Sequence, residues 1–337
     1  MFMINLRNGE IYVIKLKTFG SFTVGNDLTS VQEGAWRSKK LEKLFVYLAI
    51  NRNRGVCIED ISKAIWQVEE ETDNPVGALK NLAYRLRKAL RDASFDEECI
   101  VSVRGGLYKW NDDVEVSIDV EEFDRYINEA EFAFSRSKET AIESYEKAIA
   151  LYNGDFLSRL TDTHWFMTLN AFYHSRYVNT VKALAELYID TGCYEKLEQL
   201  CTKAVVYERS DEQIYSYLIL ARMRTKKVQM AFDTYETAKA IMDNDLGVRK
   251  TVMLNKVYEE LLSVTKGVSS YNIDEVKDDI SEESMNGVFM CGYPVFKEIY
   301  HLEVRKSARS TVPESLVLVT VCLLYTSPSP RDAHESR

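Results

Sequence analysis

The stretch NPVGALKNLAYRLRKALRD, Asn74 to Asp92, decides how the chain is read. Pro75 suits a first helical turn, where its missing N–H costs nothing, and Asn74 is placed to cap it. Leu79, Leu82, Ala83, Leu86 and Leu90 recur at the spacing of one buried helical stripe. The opposite face carries Gly77, Asn81, Tyr84 and Lys88, flanked by Lys80, Arg85 and Arg91. Five basic residues and no acidic one lie between Leu79 and Arg91, in a chain whose formal net charge is −9. A basic face is commonly just a solvated one, so the neighbouring segments have to decide.

Upstream lies LEKLFVYLAINRNRGVCIEDISKAIW, which reads as two shorter amphipathic helices joined by a turn containing Gly55. The first is expected from Lys39 to Ile50, with Leu41, Leu44, Phe45 and Leu48 inward. The second is expected to bury Ile58, Ile61, Ile65 and Trp66. Downstream, IVSVRGGLYKWN reads as a β-hairpin hinged at Gly105-Gly106 with Arg104 at its tip. In front, Ile11–Leu16 and Phe19–Val24 read as strands of a small N-terminal sheet. Helix, helix, long basic helix and basic hairpin, in that order, spell a winged helix-turn-helix. Residues Ile11 to Asp113 resemble the OmpR-type winged helix of the SARP family of bacterial activators.

From Asp119 to Val264 the pattern is helical throughout. The segments SKETAIESYEKAIALYNGDFL, LAELYIDTGCYEKLEQLCTKAVVYERSDEQIY and LILARMRTKKVQMAFDTYETAKAIMDNDLG each repeat helix, short turn, helix, in the manner of tetratricopeptide pairs. IDVEEFDRYINEA, YNGDFL, GCYEKLEQLCTKAV, SDEQIY and MDNDLG resemble the bacterial transcriptional activator domain that follows the winged helix in SARP proteins. The resemblance covers roughly residues 11–264. The aromatics Tyr145, Tyr152, Phe172, Tyr173, Tyr188, Tyr194, Tyr215, Tyr217 and Tyr235 are expected mostly in the core.

The expected fold class is therefore mainly α: a winged helix-turn-helix with a small N-terminal β-sheet and a wing hairpin, then an α-helical TPR-like domain. The expected boundaries are 1–113, winged helix, and 114–265, activator domain. An acidic linker is expected at 266–286 and the start of a further domain at 287–321, with a helix around Pro294–Arg305 and a strand at Leu316–Val321. CLLYTSPSPRD, Cys322 to Asp332, resembles a translated sequencing-library adapter, so residues 322–337 are expected to be a non-native tail.

Residues 1–112 hold 17 Lys/Arg against 15 Asp/Glu, and the acidic excess falls in the remainder. Six cysteines are scattered without CxxC spacing, and the four histidines share no metal-binding spacing. No Walker loop, GxGxxG or nucleophile elbow occurs, so no catalytic, cofactor or metal site is expected and the protein is not expected to be an enzyme. The apolar run LVLVTVCLLY is too short to cross a bilayer, and the expected location is the cytoplasm.

For function, the helix Asn74–Asp92 is expected in the major groove of promoter DNA. Asn81 suits adenine and Arg85 or Lys88 suits guanine or phosphate, with Tyr84 on the same face. Lys80 and Arg91 are expected to grip the backbone, as are Arg37 and Lys39 at the start of the first helix, and Arg104 is expected to reach the adjacent minor groove or its phosphates. By resemblance to SARP activators, the partners are direct-repeat DNA, RNA polymerase and a second copy in a homodimer, with the acidic loop QVEEETD near the polymerase. The competing expectation is a TPR-like interaction scaffold that does not bind specific DNA.

Overall fold

The computed structural model describes residues 6–7, 10–11, 13–26, 29–67, 74–95, 99–103, 106–245, 251–267 and 293–307. Met1–Ser269 form one compact unit and Ser270–Arg337 another. In the second unit the described element is a helix, Tyr293–Ser307. The expected strand Leu316–Val321, the tail 322–337 and residues 268–286 of the expected linker 266–286 lie outside the described residues, while 266–267 belong to the helix Val252–Gly267.

The first unit opens on two short strands, β1 (Leu6–Arg7) and β2 (Glu10–Ile11). A four-stranded sheet follows, built from β3 (Val13–Lys17), β4 (Thr23–Gly25), β5 (Ser30–Gln32) and β8 (Glu115–Ile118). Its order is β5-β4-β3-β8. The β3–β4 hairpin matches expectation, with Leu16 opposite Val24. Phe19 does not: it leaves the hairpin and bridges Phe156, some 137 residues on. β8 pairs parallel to β3, with Leu16 opposite Ile118, so the sheet extends past residue 113. Alternation alone does not reveal that strand, because it directly abuts a helix.

Three helices lie between β5 and β8: α1 (Lys39–Ile50), α2 (Ile58–Ile65) and α3 (Pro75–Asp92). The stripe of α3 is inside as expected: Leu79, Leu82, Ala83, Leu86 and Leu90 are all buried. Asn74 caps it, its Oδ1 accepting the Gly77 N–H at 2.9 Å. The wing is β6 (Ile100–Val103) paired antiparallel with β7 (Leu107–Trp110). Trp110 anchors its base: the ring meets Phe45 edge-on at 5.4 Å and its Nε1–H donates to the Val114 carbonyl at 2.8 Å.

The remainder is helical: α4 (Asp119–Ala133), α5 (Lys138–Leu151), α6 (His164–Thr191), α7 (Tyr194–Tyr207), α8 (Glu212–Arg224), α9 (Val228–Asp245) and α10 (Val252–Gly267). A Schellman-type stop at Gly192, φ +70°, ends the 28-residue α6. Asp211 caps α8 through the N–H groups of Gln213 and Ile214, while Glu212 reaches across to the first amides of α10, Met253 and Leu254. Most of the aromatics expected inside are buried or half-buried; Phe172 is the exception, 49% exposed on α6.

One hydrophobic core runs unbroken from the N-terminal sheet through the three-helix module into α4–α8. A second, smaller one holds α8, α9 and α10 together. The first core explains why α1 is buried nearly all round, Glu42 and Lys43 included. Lys43, 2% exposed, pairs with Asp162 and donates to the Ile65 carbonyl at 3.4 Å. Tyr47 packs edge-on against Trp165 at 4.8 Å, and Thr163 Oγ1 donates to the Ala64 carbonyl at 2.8 Å. A single-face stripe did not anticipate this second packing surface.

Candidate nucleic-acid interface

Helix α3 has two unlike faces. Its apolar stripe is sealed against α1 and α2, each leucine contributing about 1.5–3 kcal/mol on burial. On the other side Lys80, Asn81, Tyr84, Arg85, Lys88 and Arg91 are all exposed, Tyr84 by 66%. Among the described residues, none of Lys80, Arg85 and Lys88 is in an ion pair with a carboxylate. Unpaired cations on a rigid, capped helix produce a positive strip that intramolecular charge does not cancel. The amide of Asn81 stands in the same row, free for a two-point hydrogen bond to a ligand.

The fifth cation of the helix behaves differently. Arg87 turns back and gives both Nη2, at 2.9 Å, and Nε, at 3.3 Å, to the carbonyl of Ile100 at the start of the wing. Nothing in the sequence separates it from Arg85 or Lys88 except its place one step toward the buried stripe.

The hairpin itself leans on the segment just before α2. Val56 and Tyr108 exchange backbone hydrogen bonds at 2.7 and 2.9 Å, an isolated bridge on the far side of β7 from β6. Arg104, expected at its tip, lies outside the described residues. So does most of the acidic loop before α3. Arg37 and Lys39 are exposed at the start of α1, Arg37 in the left-handed region at φ +51°. The turn before α1 is tied to the helical half by Arg159, 3.4 Å from Glu33, and to α1 itself by the Gly34 N–H, which donates to the Glu42 carboxylate at 2.9 Å. Among the described residues, no hydrogen bond or ion pair brings Arg37 or Lys39 onto α3.

The interface is mounted on the helical half through a joint that sequence reading passed over. The YNGDFL turn, Tyr152–Leu157, docks against Thr18–Gly20: Leu157 N–H donates to Thr18 O at 2.9 Å and Gly20 N–H to Asp155 O at 3.2 Å. Asp119, at the first position of α4, accepts from Thr18 N, Thr18 Oγ1 and Phe19 N at 2.7, 2.5 and 3.0 Å. Burial pushes the Asp119 carboxyl above its usual range, against the opposing pull of these hydrogen bonds. Behind the turn, His174 of α6 contacts Asp155 through Nδ1 at 2.8 Å and Glu208 through Nε2 at 3.1 Å. Tyr152 Oη donates to the same Asp155 oxygen at 2.5 Å. Burial alone would lower the His174 pKa, but the hydrogen bonds to Glu208 and Asp155, with their charge, outweigh it and raise it. Gly20 and Gly154, both at positive φ, approach each other closely at this joint.

Comparison with known proteins places this architecture. Residues 118–262 match the model of the bacterial transcriptional activator domain. The match takes in the helical half of the compact unit, from the end of β8 into α10. With the winged helix in front of it, the arrangement resembles that of SARP-type transcriptional regulators. The transcriptional regulator RedD of Streptomyces coelicolor is 24% identical over 238 residues, covering 70% of this chain and 67% of RedD. The structure of Mycobacterium tuberculosis EmbR, solved with a low-affinity phosphopeptide, superposes with a TM-score of 0.58. That likeness spans 82% of this chain and 73% of EmbR at 19% identity, a similarity of fold. Among the described residues, no helix is long and apolar enough to cross a membrane.

Proposed function

We propose that the chain is a SARP-type regulator that binds promoter DNA in duplex form, laying α3 in the major groove and the wing in the adjacent minor groove. The reading rests on one observation. Lys80, Asn81, Tyr84, Arg85 and Lys88 form an exposed, acid-free row on a helix whose other side is entirely buried. Asn81 is suited to adenine and Arg85 or Lys88 to guanine N7 and O6, while Lys80 and Arg91 grip phosphates. Arg104 on the wing reaches the minor groove or its phosphates, and Arg37 and Lys39 add phosphate contacts from the start of α1. The activator domain then contacts RNA polymerase or a second copy of the chain on a direct repeat. No catalytic role is assigned to either domain.

Titration of the full chain with the duplex upstream of its own gene, across a salt series, tests this. Log affinity should fall linearly with log salt, by about 0.9 per phosphate contacted. A scrambled duplex should bind more weakly at every salt concentration. Binding that is flat with salt would overturn the reading and favour a helical interaction scaffold.

A further inference from the structure

Among the described residues no strand pairs with the outer edge of the wing, and one residue of helix α3 reaches it. The Cys99 carbonyl accepts the Asn111 N–H at 2.8 Å, which sets the alternation of the β6–β7 ladder. In an antiparallel pair, each successive residue turns its N–H and C=O to the opposite edge. One residue on, the Ile100 carbonyl therefore faces away from β7. Tyr108, opposite Ser102, faces away from β6 for the same reason and pairs with Val56. The wing is thus ordered Val56, β7, β6, with the far side of β6 unpaired by any strand among the described residues. Onto that edge Arg87 delivers two donors, both to Ile100 O.

We propose that Arg87 is a positioning residue, a strut that holds the wing at a fixed offset from the DNA-reading face of α3. The inference rests on the DNA-binding reading above, but its physical core is independent of DNA. Arg87 sits two residues after Arg85 and one before Lys88 on the same helix, yet is half-buried where they are exposed. A guanidinium can direct two N–H groups at one carbonyl from a side chain packed along the helix, and such charged donors make stronger bonds than neutral ones. The wing has few other ties to α3. Its base is fixed by Trp110 to α1 and by Tyr108 to Val56, both on the β7 side. Without Arg87, β6 keeps its pairing with β7 and the buried Cys99 and Ile100 at its start, but loses its side-chain hydrogen bonds to α3, and the hairpin beyond Ile100 can pivot. Major-groove and minor-groove contacts would then no longer be made at one spacing.

The test uses the full chain with Arg87→Met, which keeps the packing length, and Arg87→Lys, which keeps the charge with a single donor point. Hydrogen exchange reads the strut directly. In Arg87→Met the amides of β6 and β7 should exchange about tenfold faster, with α3 amides unchanged, and Arg87→Lys should lie between. Two duplexes then read its consequence, one extending under the wing and one ending at the base pairs reached by α3. Arg87→Met should lose about tenfold in affinity on the long duplex and little on the short one. Equal loss on both would mean Arg87 grips DNA itself and would overturn the proposal. So would unchanged wing exchange, or wing and α3 amides accelerating together. A parent protein that binds neither duplex would refute the DNA reading, and the exchange experiment would still decide the strut.

Discussion

The carboxylate of Asp119 accepts the backbone N–H of Thr18 at 2.7 Å, joining two residues 101 positions apart. Through the same side chain, the first turn of α4 holds the chain as it leaves β3, and Phe19 is delivered into a ring cluster. Phe123, Tyr152 and Tyr173 stand 5.1, 5.0 and 5.7 Å from it. The winged helix and the activator domain therefore share a core rather than touching at a linker.

Asp119→Ala should weaken both halves together. It strands the N–H groups of Thr18 and Phe19 and the Thr18 hydroxyl in a buried joint, at a cost of about 3 kcal/mol. Urea unfolding followed by tryptophan fluorescence and by far-ultraviolet circular dichroism should shift in parallel. Two separated transitions would show that the halves are independent.

The close approach of Gly20 and Gly154 predicts a steric penalty. A methyl group on Gly20, at φ +85°, would lie 2.8 Å from the Asn153 carbonyl oxygen. Gly20→Ala should cost about 2 kcal/mol, whereas Gly192→Ala meets no atom within 4 Å and carries only the penalty of its positive φ. Comparison of the two melting temperatures checks the order.

The Lys43–Asp162 pair gives an asymmetric pair of mutants. Asp162→Asn leaves an ammonium group that is 2% exposed without its counter-charge and should cost about 3 kcal/mol or more. Lys43→Met removes the charge along with the need to solvate it, and sets a flexible apolar chain beside Phe166. It should cost less than about 1.5 kcal/mol. The reverse order in chemical denaturation would contradict this account of the interface.

His174 makes stability depend on pH. Its folded pKa is raised above the unfolded value of about 6.5, so its contribution is complete below that value. The contribution is lost as pH rises through the higher folded pKa, when the proton shared with Asp155 and Glu208 leaves. The melting temperature should fall as pH rises through that window, and His174→Gln should flatten the slope. An unchanged slope would remove His174 from the joint.

On the proposed interface, Asn81→Ala and Arg85→Ala should each narrow the preference for a cognate over a scrambled duplex by roughly 1–3 kcal/mol. Lys80→Ala should weaken both duplexes about equally. A uniform loss in all three would mean that none of them reads bases.

What the sequence determined by itself is whatever local periodicity encodes. The stripe Leu79–Leu90, the cap at Asn74, the wing flanking Gly106 and the succession of helices from Asp119 are all patterns within about twenty residues. Each is legible because burial on one face imposes a 3.6- or 2-residue rhythm on neighbouring residues. Tertiary structure alone decided the rest. It took Phe19 out of its hairpin to meet Phe156, slid Glu115–Ile118 in beside β3, buried Lys43 against Asp162, and turned Arg87 away from its basic neighbours toward Ile100. In each case the residue type is equally at home in solvent or on another face. The deciding energy comes from a partner tens of residues distant, which no local rhythm records.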